Sequence, residues 1–222
     1  MKKLHQTQSG SGFPQLLFFR QIIVIQIPAD GLIICDLFLI DPCRAAVQRV
    51  HGHLGQLVLL CKITEANTAV CGEMQRSGKR TGTTASMLLF DQAGGYSVCN
   101  LGDSPVLLIR DGSITEISVE HTERQKFEEV TGKKAAPGKK FKLTQHIGIF
   151  PEEMEIEPHL YREQVRPSDV FLICSDGLTD MVPYEAILDT VTRSETAEDA
   201  VAALCTMAKD AGGKRRTGRT RL

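Results

Sequence analysis

From about Leu57 to Met74 apolar side chains recur at helical spacing, with Leu57, Leu60, Ile63, Val70 and Met74 on or near one face. Gly78 follows as a stop, so the spacing predicts one amphipathic helix. Beyond it the rhythm changes. Short apolar runs at Ala85 to Phe90, Tyr96 to Leu101, Val106 to Arg110 and Ser113 to Ile117 are separated by Ala93-Gly94-Gly95, Gly102-Asp103 and Asp111-Gly112. Asp-Gly between two apolar runs serves a turn that needs positive φ at both central positions, which predicts a hairpin and, from it, an antiparallel meander. Residues 120 to 142 are polar and rich in Lys and Glu, with Gly132, Pro137 and Gly138, and read as a helix followed by a mobile loop, either a lid or a connection. Val170 to Cys174 is a continuous apolar strand closed by Ser175-Asp176-Gly177, and Pro183 opens a helix to about Val191. Thr196 with Asp199 resembles a capping box for a last helix that ends at Gly212-Gly213. The sum is a mainly antiparallel sheet with helices before and after it.

Composition narrows this picture. A chain of 222 residues, 42% hydrophobic and 24% charged, fits one domain better than two. With 26 basic and 27 acidic residues, the net charge of −1 gives no electrostatic reason to expect a nucleic-acid or anionic-membrane partner. The one basic run, Lys214 to Arg221, reads as a solvated end. Seven cysteines without a C-x-x-C pair, several inside apolar stretches, read as reduced core residues, and nothing in their spacing supports a zinc site. Polar residues His5 to Gly12 follow Met1-Lys2-Lys3, where a signal peptide needs its apolar stretch. Residues 16 to 40 are interrupted by Arg20, Gln21, Gln26, Pro28, Asp30 and Asp36, short of the roughly 20 apolar residues a membrane span needs. The expectation is a cytoplasmic protein.

Three aspartates close apolar strands in turn-forming contexts: Asp30 before Gly31, Asp103 after Gly102, and Asp176 before Gly177. Singly, each is ordinary turn chemistry. Such an Asp can also aim a carboxylate into a cleft between sheets, which is how hard oxygen ligands for Mg²⁺ or Mn²⁺ are commonly placed. His51-Gly52-His53 reads as a surface turn.

The ordered set adds what no single motif carries: Gly82-Thr83-Thr84-Ala85, Cys99-Asn100-Leu101-Gly102-Asp103-Ser104, Glu120-His121-Thr122, Leu143-Thr144-Gln145-His146-Ile147-Gly148, and Cys174-Ser175-Asp176-Gly177-Leu178-Thr179-Asp180-Met181-Val182. Over about residues 60 to 213 this set resembles the metal-dependent protein phosphatase 2C (PPM) family of serine/threonine phosphatases, in the compact form common in bacteria. The resemblance implies an α+β fold, a four-layer α-β-β-α sandwich of two antiparallel sheets flanked by helices. That domain would occupy residues 57–213, between a divergent segment 1–56 and the basic tail 214–222. The implied reaction is hydrolysis of phosphoserine and phosphothreonine in proteins by a water activated between Mn²⁺ or Mg²⁺ ions, two or three in the family. The implied partners are phosphoprotein substrates and a serine/threonine kinase counterpart.

Carried over residue by residue, Asp176 matches a carboxylate on one of the two core metals, and Asp103 matches a position that helps hold a third, weaker one. Asp30 with Gly31 is placed like the family's metal-bridging Asp-Gly. Gly102 and Gly177 would be the hinges that turn the carboxylates inward, and Gly82, Thr83 and Thr84 the structural start of a core strand. Asn100 and Ser104 would support the turn, with His121 and His146 as turn or packing histidines. The sequence also departs from the family. Leu32-Ile33 replace a glycine pair, no acidic pair precedes Asp30, and Arg215-Arg216 stand where Asp-Asn belongs. Both ends lose the pattern while the middle keeps it, as a changed reading frame or gene boundary near residue 60 and after Lys214 would produce. The alternative function is therefore a catalytically inactive pseudophosphatase that binds phosphoproteins or a kinase. A third reading, an unrelated small-molecule hydrolase, lacks a Gly-x-Ser-x-Gly elbow.

Overall fold

The computed structural model describes residues 21–24, 54–91, 93–135 and 141–212. In chain order these form β1 (Gln21–Val24), α1 (Leu54–Ser77), β2 (Ala85–Phe90), β3 (Gly95–Leu101), β4 (Val106–Arg110), β5 (Ser113–Glu116), α2 (Glu123–Thr131), β6 (His159–Gln164), β7 (Val170–Ile173), α3 (Asp176–Thr179), α4 (Tyr184–Arg193) and α5 (Ala197–Asp210). Asp30, Gly31, His51, His53 and the tail 214–222 lie outside the described residues.

Two sheets stack between helices. One has the strand order β1-β7-β4-β5, the other β2-β3-β6. All pairs are antiparallel except β1 with β7, which is parallel, so four residues from the 1–56 segment join a sheet of the main domain. The period-2 alternation of strands assigns each face. From β4, Val106 and Leu108 point between the sheets to meet Val98, Tyr96 and Phe171, while Leu107 and Ile109 point the other way, onto Leu178, Ile187 and Leu204 of α3, α4 and α5. From β3, Cys99 and Leu101 face Leu59 and Ile63 of α1. The layers therefore run α1, three-stranded sheet, four-stranded sheet, C-terminal helices. This is the expected α-β-β-α sandwich.

The local signals hold where the chemistry is local. Asp111 and Gly112 have φ of 50° and 72°, and Arg110 pairs with Ser113 across that two-residue hairpin. The Thr196 hydroxyl accepts the Asp199 N–H at 3.1 Å, and α5 starts at the next residue. Pro183 precedes the first residue of α4.

Three expectations change. The four apolar runs do not make one meander: the chain leaves the three-stranded sheet after Leu101 and enters the four-stranded sheet at Val106, because each sheet completes itself with a late strand, β6 or β7. Strand β6, HLYREQ, has no clean alternation and was not predicted. Leu57, expected on the buried face of α1, is 55% exposed. The buried stripe is Leu59, Ile63, Asn67, Cys71 and Met74, at strict i, i+4 spacing up to Cys71. Asn67 breaks the apolar pattern while keeping the packing, since its Oδ1 accepts the N–H groups of Gly148 (2.7 Å) and Ile149 (3.2 Å) and its Nδ2 donates to the Ile149 carbonyl (2.9 Å). A buried amide so bonded leaves no orphaned polar atom to disfavour burial.

Candidate metal centre

The β4–β7 ladder decides which aspartate-bearing turns stand at the same end of the sheet. Val106 lies opposite Ile173, and the pairing runs one step further through the Cys174 N–H, which donates to the Pro105 carbonyl at 3.2 Å. Asp103 stands two residues before Pro105 and Asp176 two after Cys174, so both leave the same end of one strand pair. Strand β1 runs parallel to β7 with Val24 beside Ile173, so the chain also leaves β1 at that end, shortly before Asp30 in sequence.

The turn that carries Asp103 is tightly determined. Gly102 has φ of 111°, and a Cβ there would stand 2.3 Å from Thr84 Cγ2. No side chain fits that backbone or that space. The His121 N–H donates to the Gly102 carbonyl at 2.9 Å, and the Gly102 N–H points back to His121 Nδ1 at 3.2 Å. Ser104 shares a hydrogen bond of 2.7 Å with Thr84 and accepts the Ser86 hydroxyl on its carbonyl. Asn100 donates to the Val119 carbonyl (2.7 Å) and accepts its N–H (3.1 Å). Asn100 and Ser104 thus support the turn, in line with their sequence reading. Gly82 packs against the His146 ring, where a Cβ would come within 2.8 Å of Nδ1, and Thr83 bridges to Ile147. His146 is a packing residue.

The Asp176 side is built differently. Gly177 lies within α3 and is absent from the positive-φ glycines. The hinge role expected for it is not needed, because the chain passes from strand to helix at Ser175, whose φ of −86° and ψ of 165° any residue adopts. Burial pushes the Cys174 thiol up, with Glu116 and Asp176 adding to the shift, so it is an inert packing thiol.

Two half-buried imidazoles sit below the Asp103 turn. Burial lowers the pKa of His121, and burial followed by the charge of His121 lowers that of His159, whose Nδ1 lies 3.3 Å from Asn100 Oδ1. His159, on an unpredicted strand, carried no sequence signal. Both groups bind protons more weakly folded than unfolded, so their contribution to stability is present above the ordinary imidazole value of 6.5 and is lost as pH falls below it. Urea unfolding at pH 7.5 and 5.5 should show lower stability at the acid pH. His159→Gln should flatten the slope, and an unchanged slope would remove the assignment.

Carboxylates, such as those carried at this end of the strand pair, are hard oxygen donors of the kind that suit Mg²⁺ or Mn²⁺. Among the described residues no group of three or more His, Cys, Asp or Glu could hold a metal.

Comparison with known proteins bears on this arrangement. No family model matches the chain. The serine/threonine protein phosphatase PstP of Mycobacterium tuberculosis is 34% identical over 151 residues, covering 64% of this chain. The chain spans 29% of that relative's length. Among solved structures, the PPM Ser-Thr phosphatase MsPP of Mycobacterium smegmatis, in complex with cacodylate, superposes with a TM-score of 0.61 at 30% identity, covering 70% of this chain and 68% of that one. The catalytic domain of PstP in complex with two manganese ions gives 0.56 at 28% identity, covering 66% and 61%.

Proposed function

This chain belongs to the PPM family of serine/threonine phosphatases, and from that we propose that it hydrolyses phosphoserine and phosphothreonine in proteins with the help of Mn²⁺ or Mg²⁺. The observation that carries the reading is the β4–β7 register, which brings Asp103 and Asp176 out at one end of the sandwich beside the exit of β1. In this reading Asp176 holds a core metal, Asp103 a weaker third one, and Asp30 with Gly31 the bridging position. When bound, the cations acidify a water for attack on phosphorus and offset charge on the phosphoryl oxygens. The protein's own part is to hold its carboxylates in fixed directions. Asp103 is held by the Gly102 turn, and Asp176 by the first turn of α3, where the Asp180 N–H donates to the Asp176 carbonyl at 2.8 Å.

Support for the cation comes from the PstP catalytic domain, solved with manganese. Phosphoprotein substrates, and a kinase that makes them, follow from the same family reading. No described helix is long and apolar enough to cross a membrane. The five described cysteines are free thiols, which supports a cytoplasmic setting.

The test is hydrolysis of p-nitrophenyl phosphate by the purified chain with Mn²⁺ present or chelated, beside Asp176→Asn. The expected result is turnover that requires Mn²⁺ and falls by about 100-fold or more in the variant, since loss of a ligand should exceed the 10- to 100-fold typical of its outer partners. A folded protein with no turnover under any divalent cation would overturn the reading in favour of a binding-only relative.

A further inference from the structure

We propose that His121 is a positioning residue for Asp103, holding both peptide groups of Gly102 and so fixing the turn from which the Asp103 carboxylate leaves the β4–β7 pair. The inference rests on the metal-site reading and deepens it, because it names what aims one of the proposed ligands.

Glycine has the widest backbone freedom of any residue, and Gly102 sits at φ of 111°, where other residues rarely go. Bonds from elsewhere in the chain help to hold that conformation. His121 supplies them from a distant loop. Its backbone N–H donates to the Gly102 carbonyl at 2.9 Å, and its ring presents Nδ1 3.2 Å from the Gly102 N–H. The same nitrogen is 3.2 Å from the Gly102 carbonyl. That carbonyl already has the His121 N–H, whereas the Gly102 N–H finds its acceptor in the ring, so the tautomer that satisfies both groups keeps Nδ1 unprotonated and Nε2 protonated.

His121 is itself anchored. Its carbonyl accepts the Thr144 N–H at 2.8 Å, and Thr122, the next residue, caps α2 by accepting the Gln125 N–H. The Asp103 turn is thereby tied, through His121 and the residue after it, to α2 and to the segment that carries Thr144. A packing histidine would need only its shape, and this one uses a specific ring atom.

The atom provides the test. In His121→Asn the side-chain oxygen takes the place of Nδ1 and can accept the Gly102 N–H. In His121→Gln the oxygen falls where Nε2 lies. Two readouts apply to the full chain without turnover: amide hydrogen exchange of the peptide spanning Gly102 to Ser104, and Mn²⁺ binding followed by the electron paramagnetic resonance of free Mn²⁺. The Gln variant should speed exchange and weaken Mn²⁺ binding by about tenfold, while the Asn variant stays within about twofold of wild type. Equal behaviour of Asn and Gln in exchange would overturn the positioning role, and this comparison stands even if His121→Ala fails to fold. Asp103→Asn separates the two readings. If it leaves Mn²⁺ binding unchanged while exchange still divides Asn from Gln, the metal assignment of Asp103 fails and the hold of His121 on the turn stands.

Discussion

Replacing Gly102 by alanine should lower the unfolding free energy by about 2–6 kcal/mol, the sum of two independent costs. The first is the backbone. At φ of 111° a side-chain-bearing residue is strained, at about 1–3 kcal/mol. The second is space. The new methyl would stand 2.3 Å from Thr84 Cγ2, 2.7 Å from Cβ and 3.3 Å from Cα, so a rotamer change of Thr84 cannot clear it and the start of β2 must move. Overpacking of this kind costs about 1–3 kcal/mol. Gly112→Ala is the control, because Gly112 has φ of 72° with nothing within 4 Å of a built Cβ. That substitution should cost only the backbone part, about 1–2 kcal/mol. Urea denaturation of both variants at pH 7.5 measures the difference. If the two lose the same amount, Thr84 yields freely and the close approach of β2 to the turn does not constrain it.

Arg110→Met should cost about 3–5 kcal/mol by leaving a buried carboxylate without its cation. Arg110 closes β4 at the end away from Asp103. Its Nε and Nη2 each donate to Asp169 at 2.8 Å, Nη2 also reaches the Gln164 carbonyl at 3.0 Å, and Nη1 bonds Glu163. The Asp169 side chain is 1% exposed and that of Arg110 13%, so solvent screens the pair little. The Asp169 hydrogen bond, foremost, pushes the Arg110 pKa up. Tyr161 donates to Glu163 at 2.8 Å and Tyr96 at 3.3 Å, which extends the network across both sheets. With Arg110 gone, Asp169 retains the Arg166 N–H at 2.8 Å. The double variant Arg110→Met/Asp169→Asn should recover about 1–2 kcal/mol by removing the stranded charge. Denaturant midpoints measured at low and high salt read both effects. A loss below about 1 kcal/mol, or one that vanishes in high salt, would make this a surface pair.

The sequence by itself determined what neighbours along the chain decide. The hairpin at Asp111-Gly112, the Thr196 cap, the Pro183 helix start and the turn at Gly102 were legible because their bonds close within a few residues or because only glycine tolerates the backbone. The motif order from Gly82 to Val182 was legible as a family pattern, and with it the sandwich and the two carboxylates Asp103 and Asp176. Tertiary structure decided the rest. The apolar runs look alike whether they make one meander or two sheets, and only the pairing of β3 with β6 and β4 with β7 separates them. Leu57 is exposed and Asn67 buried because burial depends on what α1 faces, and the Gly148–Ile149 backbone lies some eighty residues away. Gly102 and Gly177 adjoin their aspartates alike in sequence, yet only Gly102 needs to be glycine, since a strand leading into a helix turns without positive φ. The placing of the Asp103 and Asp176 turns at one end of a strand pair belongs wholly to the fold: it follows from a strand register between residues far apart in the chain, which local propensity does not encode.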